Sequence, residues 1–117
     1  MTSQDHTPRK PSEILRAARE IISVPERWTQ GASALSGRGN VVNARSPSAK
    51  CWCSFGAIDK AGSRSIAKLR TAEGILRAAL KAESIILWND APERTHAEVL
   101  AAFDQAITLA EQSESRS

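Results

Sequence analysis

Of the two cysteines, Cys51 and Cys53, the second has the context that suits chemistry. It follows Trp52 and precedes Ser54-Phe55-Gly56-Ala57, which reads as the opening turn of a helix. At such a place the helix dipole and the free backbone N–H groups stabilise a thiolate. A thiol nucleophile also needs an imidazole to take its proton and a group to orient that imidazole. His96 and Asp90 are of those types, with Asn89 as a second orienter. One functional reading is therefore a cysteine-dependent hydrolase or transferase with Cys53 as nucleophile, His96 as base and Asp90 as orienter. The plainer reading packs Cys53 in the core, leaves His96 in a first helical turn where the dipole disfavours its charged form, and places Asp90 in a turn.

Other chemistries find less support. The longer signature of papain-like thiol enzymes is absent around Cys53. A metal site would need Cys51, Cys53, His96 and Asp90 to converge, and a Cys-x-Cys pair lacks the spacing of structural zinc ligands. The glycines Gly31, Gly37 and Gly39 match no phosphate-binding loop. No metal and no cofactor is expected. One intervening residue also points Cys51 and Cys53 along unfavourable vectors for a bridge, so both are expected as free thiols.

Trp28, Trp52 and Trp88 all fall outside the periodic helical stretches, beside polar residues. An indole at such a junction buries its ring while its N–H finds a partner. With Asn89 and Asp90 they form a candidate binding site for a protein or small-molecule ligand; the alternative is that they seal helix ends around one core. The net charge is +3, and residues 1–50 hold eight Lys or Arg against four Asp or Glu. Arg27, Arg38, Arg45 and Lys50 occur in a stretch with no acid, which makes a weak nucleic-acid-binding surface a further alternative.

The elements that must position these residues follow from periodicity. At 117 residues the chain fits one domain with a modest core. Residues 1–11, including His6, read as a disordered tail, 12–111 as the globular domain and 112–117 as a fraying tail. Ile14, Leu15, Ala18, Ile21 and Ile22 mark a first helix capped by Ser12 and ended by Val24 at the latest because of Pro25. A short helix from Cys53 to Ala61 should close on a left-handed Gly62. Ser63 or Ser65 then caps a helix carrying Ile66, Leu69, Ala72, Leu76, Ala79 and Leu80, with Gly74 inside it marking either a close helix approach or a weak point. The run Ser84 to Trp88 reads as a buried extended segment, and Thr95-His96-Ala97-Glu98 as a capping box opening the last helix. Between them, Ser36-Gly37-Arg38-Gly39-Asn40 can close a hairpin of 28–35 with 41–45, or belong to an irregular loop.

Arg27-Trp28-Thr29-Gln30-Gly31, Trp52-Cys53 with Gly56-Ala57, Trp88-Asn89-Asp90-Ala91-Pro92, and Thr95-His96-Ala97-Glu98-Val99 followed by Phe103-Asp104 together resemble a small family of bacterial and phage proteins known only as a domain of unknown function. The likeness spans about residues 12 to 111 and carries no activity with it. The basic stretch from Gly37 to Lys50 departs from it.

The expectation is a mainly α single domain of about four helices, with at most one short β-hairpin. No apolar run reaches the roughly 20 residues of a spanning helix, and the polar opening residues lack a secretory pattern, so the cytoplasm is the expected compartment. The leading functional expectation is a non-enzymatic accessory or binding protein of bacterial or phage origin.

Overall fold

The computed structural model describes residues 10–62 and 65–116. Residues 1–9 of the expected N-terminal tail, with His6, and Ser63 as a cap lie outside these. Helix α1 spans Pro11–Ile21, with Lys10 rather than Ser12 at its N-cap and proline in its first turn. The fixed φ of proline suits that first position, where its missing N–H costs nothing. The helix ends at Ile21, before Val24 as Pro25 requires, and Pro25 starts a separate 3-10 turn, Pro25–Arg27.

Strands β1 (Ala34–Ser36) and β2 (Ala49–Trp52) pair antiparallel, Ala34 opposite Trp52 and Leu35 opposite Cys51. The anticipated turn is present: Ser36 N–H donates to the Asn40 carbonyl at 2.8 Å and Gly39 takes a positive φ of 84°. Its expected partner strand, 41–45, is not. Val41 makes only an isolated bridge to Leu35 and is 75% exposed, whereas pairing with 49–52 buries Ala49 and Trp52. Residues 41–48 arch across, held where the Trp52 indole N–H donates to the Ala44 carbonyl at 2.8 Å.

Helix α2 (Ser54–Ala61) begins where the sequence places it. Gly62 is not left-handed (φ −9°, ψ 156°); a side chain there would collide with the Arg45 guanidinium and the Asp59 carbonyl. Ser65 caps α3 (Ile66–Leu80), and the left-handed residue is Lys81, which ends it. Around Gly74 a Cβ would meet nothing closer than the Arg77 guanidinium at 3.7 Å, so no helix approaches there.

The apolar run after Ser84 is a fifth helix, α4 (Ile85–Asn89), rather than an extended segment. Ser84 Oγ accepts from Leu87 N–H, and the four-residue spacing turns Ile85 and Asn89 inward while Leu87 is 75% exposed. Helix α5 (His96–Ser115) opens on the capping box: Thr95 Oγ1 accepts from Glu98 N–H at 3.2 Å and Glu98 Oε1 from Thr95 N–H at 2.9 Å. It continues past Glu111 instead of fraying. Ser12 donates through its N–H and hydroxyl to Glu114 at 3.0 and 2.6 Å, and Arg16 pairs with Glu111, fastening the last turn to α1.

Helix α1 lies against α2 and α5, and α3 against α5. Ile14, Leu15, Ile22, Ile58, Leu76, Val99 and Phe103 fill the space between them. The described chain is a single, mainly α domain of five α-helices and one two-stranded hairpin. None of these helices is long and apolar enough to cross a membrane.

Candidate functional site

Asn89 is the polar centre of the molecule. Its side chain is fully buried, which is costly for an amide unless its donors and acceptor are matched. They are. Oδ1 accepts from the Trp28 indole at 2.7 Å, from Ser54 N–H at 3.0 Å and from Ser54 Oγ at 2.7 Å. Nδ2 donates to the Thr29 carbonyl at 3.0 Å and to Asp90 Oδ1 at 2.9 Å. Asp90 Oδ1 also accepts from Gly31 N–H at 3.0 Å, and Gln30 Nε2 donates to the backbone carbonyls of Asn89 and Ala91. The Trp28 to Gly31 segment is thus tied to the C-terminal end of α4 and to the first turn of α2.

Cys53 is the N-cap of α2, and its Sγ accepts from Gly56 N–H at 3.3 Å. The sulfur therefore meets the N–H groups that favour a thiolate. Burial works against them: Cys53 is 2% exposed, and loss of solvation pushes its thiol above the ordinary range, with the nearby Asp90 carboxylate acting in the same direction. The thiol keeps its proton at neutral pH. Ser33 approaches so closely that a Cβ on Gly56 would lie 2.1 Å from its carbonyl oxygen, while Cys53 N–H donates to that same oxygen.

His96 is the first residue of α5, and its Nε2 lies 2.7 Å from the Ile22 carbonyl. A carbonyl only accepts, so Nε2 carries the proton. The ring also rests 6.2 Å from the Trp28 ring. Among the described residues no hydrogen bond joins Cys53, His96 and Asp90, and no group of His, Cys, Asp or Glu is placed to hold a metal.

Of the tryptophans, Trp28 and Trp52 meet through an isolated backbone bridge, and Trp52 is buried. Trp88 is engaged elsewhere: the Arg94 guanidinium sits 3.9 Å over its ring and donates from Nε to its carbonyl. The basic residues divide similarly. Arg38 and Lys50 line one concavity on the hairpin, Arg27 lies in the 3-10 turn, and Arg45, exposed, pairs with Asp59.

A feature the sequence reading passed over is a cleft of about 340 Å³ between α2, α3 and α4. Phe55 and Ile85 give it apolar walls, Ile86 a rim, and Arg70, Glu73, Arg77 and Glu83 its charges. Arg70, Glu73 and Arg77 recur three and four residues apart, which sets them along one face of α3. That spacing was readable; their meeting with Phe55 and Ile85 was not. Glu73 is half-buried, and desolvation raises its carboxyl above the usual range although Arg77 and, less, Arg70 oppose this. None of the four charged residues makes an ion pair with a described residue.

The profile of a family described as "Family of unknown function (DUF6197)" matches residues 6–109. No curated protein and no solved structure matches the chain.

Proposed function

The chain belongs to that family of unknown function, and from its geometry we propose a small non-catalytic accessory or binding protein that receives its partner in the cleft between α2, α3 and α4. The observation that carries this reading is the contrast in free valence. Every polar side-chain atom of Asn89 is matched internally, and Cys53 and His96 hold backbone partners. The cleft keeps unpaired charges of both signs beside apolar walls, the combination that small ligand sites use. The motif resemblance extends this proposal to a bacterial or phage protein of the cytoplasm.

Two measurements test it. Alkylation of Cys53 by iodoacetamide should be slow at neutral pH and gain rate only above about pH 9, as expected for a buried thiol. A rate that already plateaus below about pH 8 argues for the thiol enzyme instead. A fragment screen read by two-dimensional NMR on the full chain should concentrate its shifts on Phe55, Glu73, Arg77 and Ile85. Shifts gathered on Arg38 and Lys50 with a single-stranded oligonucleotide, weakening steeply with salt, would transfer the function to the basic hairpin face.

A further inference from the structure

The cleft carries enough chemistry to name a ligand class, an inference that rests on the binding reading above. We propose that it binds a free α-amino acid with an apolar side chain. The ammonium lies against Glu73, the carboxylate against Arg77, and the side chain on Phe55 and Ile85.

Size comes first. A volume of about 340 Å³ lies at the small end of ligand sites and admits a ligand of amino-acid dimensions. Charge comes second. Glu73 and Arg77 stand four residues apart on α3, so their Cβ atoms are about 5–6 Å from one another. They nevertheless form no ion pair. Two opposite charges that sense one another without touching leave room for a molecule that presents a cation to one and an anion to the other. The guanidinium favours a planar carboxylate, which it can grip with two parallel N–H donors. The half-buried Glu73 lacks a cation in contact, and an ammonium would supply one.

The surroundings fit as well. Phe55 is half-buried and Ile85 buried, so a ligand side chain placed there completes an apolar contact already begun. Ile86 stands exposed at the rim, where an aliphatic group extends that wall. Arg70 and Glu83 also line the cleft and add a second carboxylate grip and a second ammonium acceptor.

The test is a titration of the isotope-labelled full chain with L-leucine and L-phenylalanine, set against N-acetyl-leucine, which lacks the ammonium, leucine amide, which lacks the carboxylate, and glycine, which lacks the side chain. The free amino acids should move the amides of Phe55, Glu73, Arg77 and Ile85, and each truncated analogue should bind about tenfold weaker or worse. In Arg77→Gln, an exposed helix position, the preference for leucine over leucine amide should shrink, and in the Arg70→Gln/Arg77→Gln double variant it should vanish. N-acetyl-leucine binding as tightly as leucine would overturn the inference, as would no shift in the cleft at about 10 mM amino acid. If other fragments occupy the cleft while amino acids do not, the ligand class is wrong and the binding reading stands. If nothing occupies it, both fall.

Discussion

Helix α4 has five residues, and its two ends stand in opposite surroundings. At the C-terminal end Asn89 is buried and its amide accepts from three donors and gives to two acceptors. At the N-terminal end Ser84, Ile85 and Ile86 front an open cleft whose four charged residues have no ion-pair partner among the described residues. The comparison teaches that scarce, chemically suggestive residues are not necessarily the ones left free to act. Trp28, Asn89 and Asp90 join three distant segments, and ordinary surface residues of α3 retain open valence.

The largest expected effect comes from breaking the saturated end. Asn89→Ala removes the partner of the Trp28 indole, of the Ser54 amide and hydroxyl, and of the Thr29 carbonyl at once. With each buried orphan costing about 1–3 kcal/mol and partial relief by water, a total loss of about 3–5 kcal/mol is expected in urea unfolding. A loss under about 1 kcal/mol would show that the network is decorative.

Next in size is a pair of identical substitutions with opposite signs. Gly56→Ala drives a methyl into the Ser33 backbone, which must shift and take the Cys53 hydrogen bond with it. Overpacking of this kind costs about 1–3 kcal/mol or more. Gly74→Ala on α3 meets only the flexible end of Arg77 at ordinary contact distance and should stabilise by about 0.5–1 kcal/mol through helix propensity. Thermal melts decide both; destabilisation by Gly74→Ala would mean that α3 needs flexibility or space there.

The smallest effect sharpens the cleft side. Desolvation, aided by Asp59 and opposed by Arg77 and Arg70, holds the Glu73 carboxyl above its ordinary value of 4.5. A folded-state pKa above the unfolded one means stability that is full below about pH 4.5 and is lost as pH rises through the folded value. At neutral pH Glu73 is then a slight burden, discounted by its solvent contact. Glu73→Gln should raise the melting temperature slightly at pH 7, and the difference should vanish below about pH 4. An unchanged or lowered melting temperature at pH 7 would mean that the flanking arginines already compensate the charge.

How much of this was legible in the sequence depended on range. The Thr95–Glu98 box and the start of α2 at Cys53 are settled within four residues, and both stand where the sequence places them. The hairpin partner was not readable, since choosing 49–52 over 41–45 rests on burying Trp52, which needs the rest of the fold. Ile85 to Asn89 is too short for periodicity to separate helix from strand; only its inward Ile85 and Asn89 do so. The candidate site suffered most. The same Cys53 context implies a thiolate at an exposed helix start and a protonated thiol at a buried one, and burial is a property of Ser33, Gly56 and their neighbours rather than of the motif.

The account rests on the Trp28–Asn89 junction being a structural fastener and the cleft being the place of binding. The Trp28 indole N–H, followed by NMR hydrogen exchange with and without 10 mM L-leucine (about the weakest affinity worth detecting), addresses both at once. A strongly protected indole proton whose exchange and shift do not respond to the ligand, while Glu73 and Arg77 amides move, is the predicted result. An indole proton that exchanges freely, or that shifts with the ligand while the cleft stays still, would contradict it.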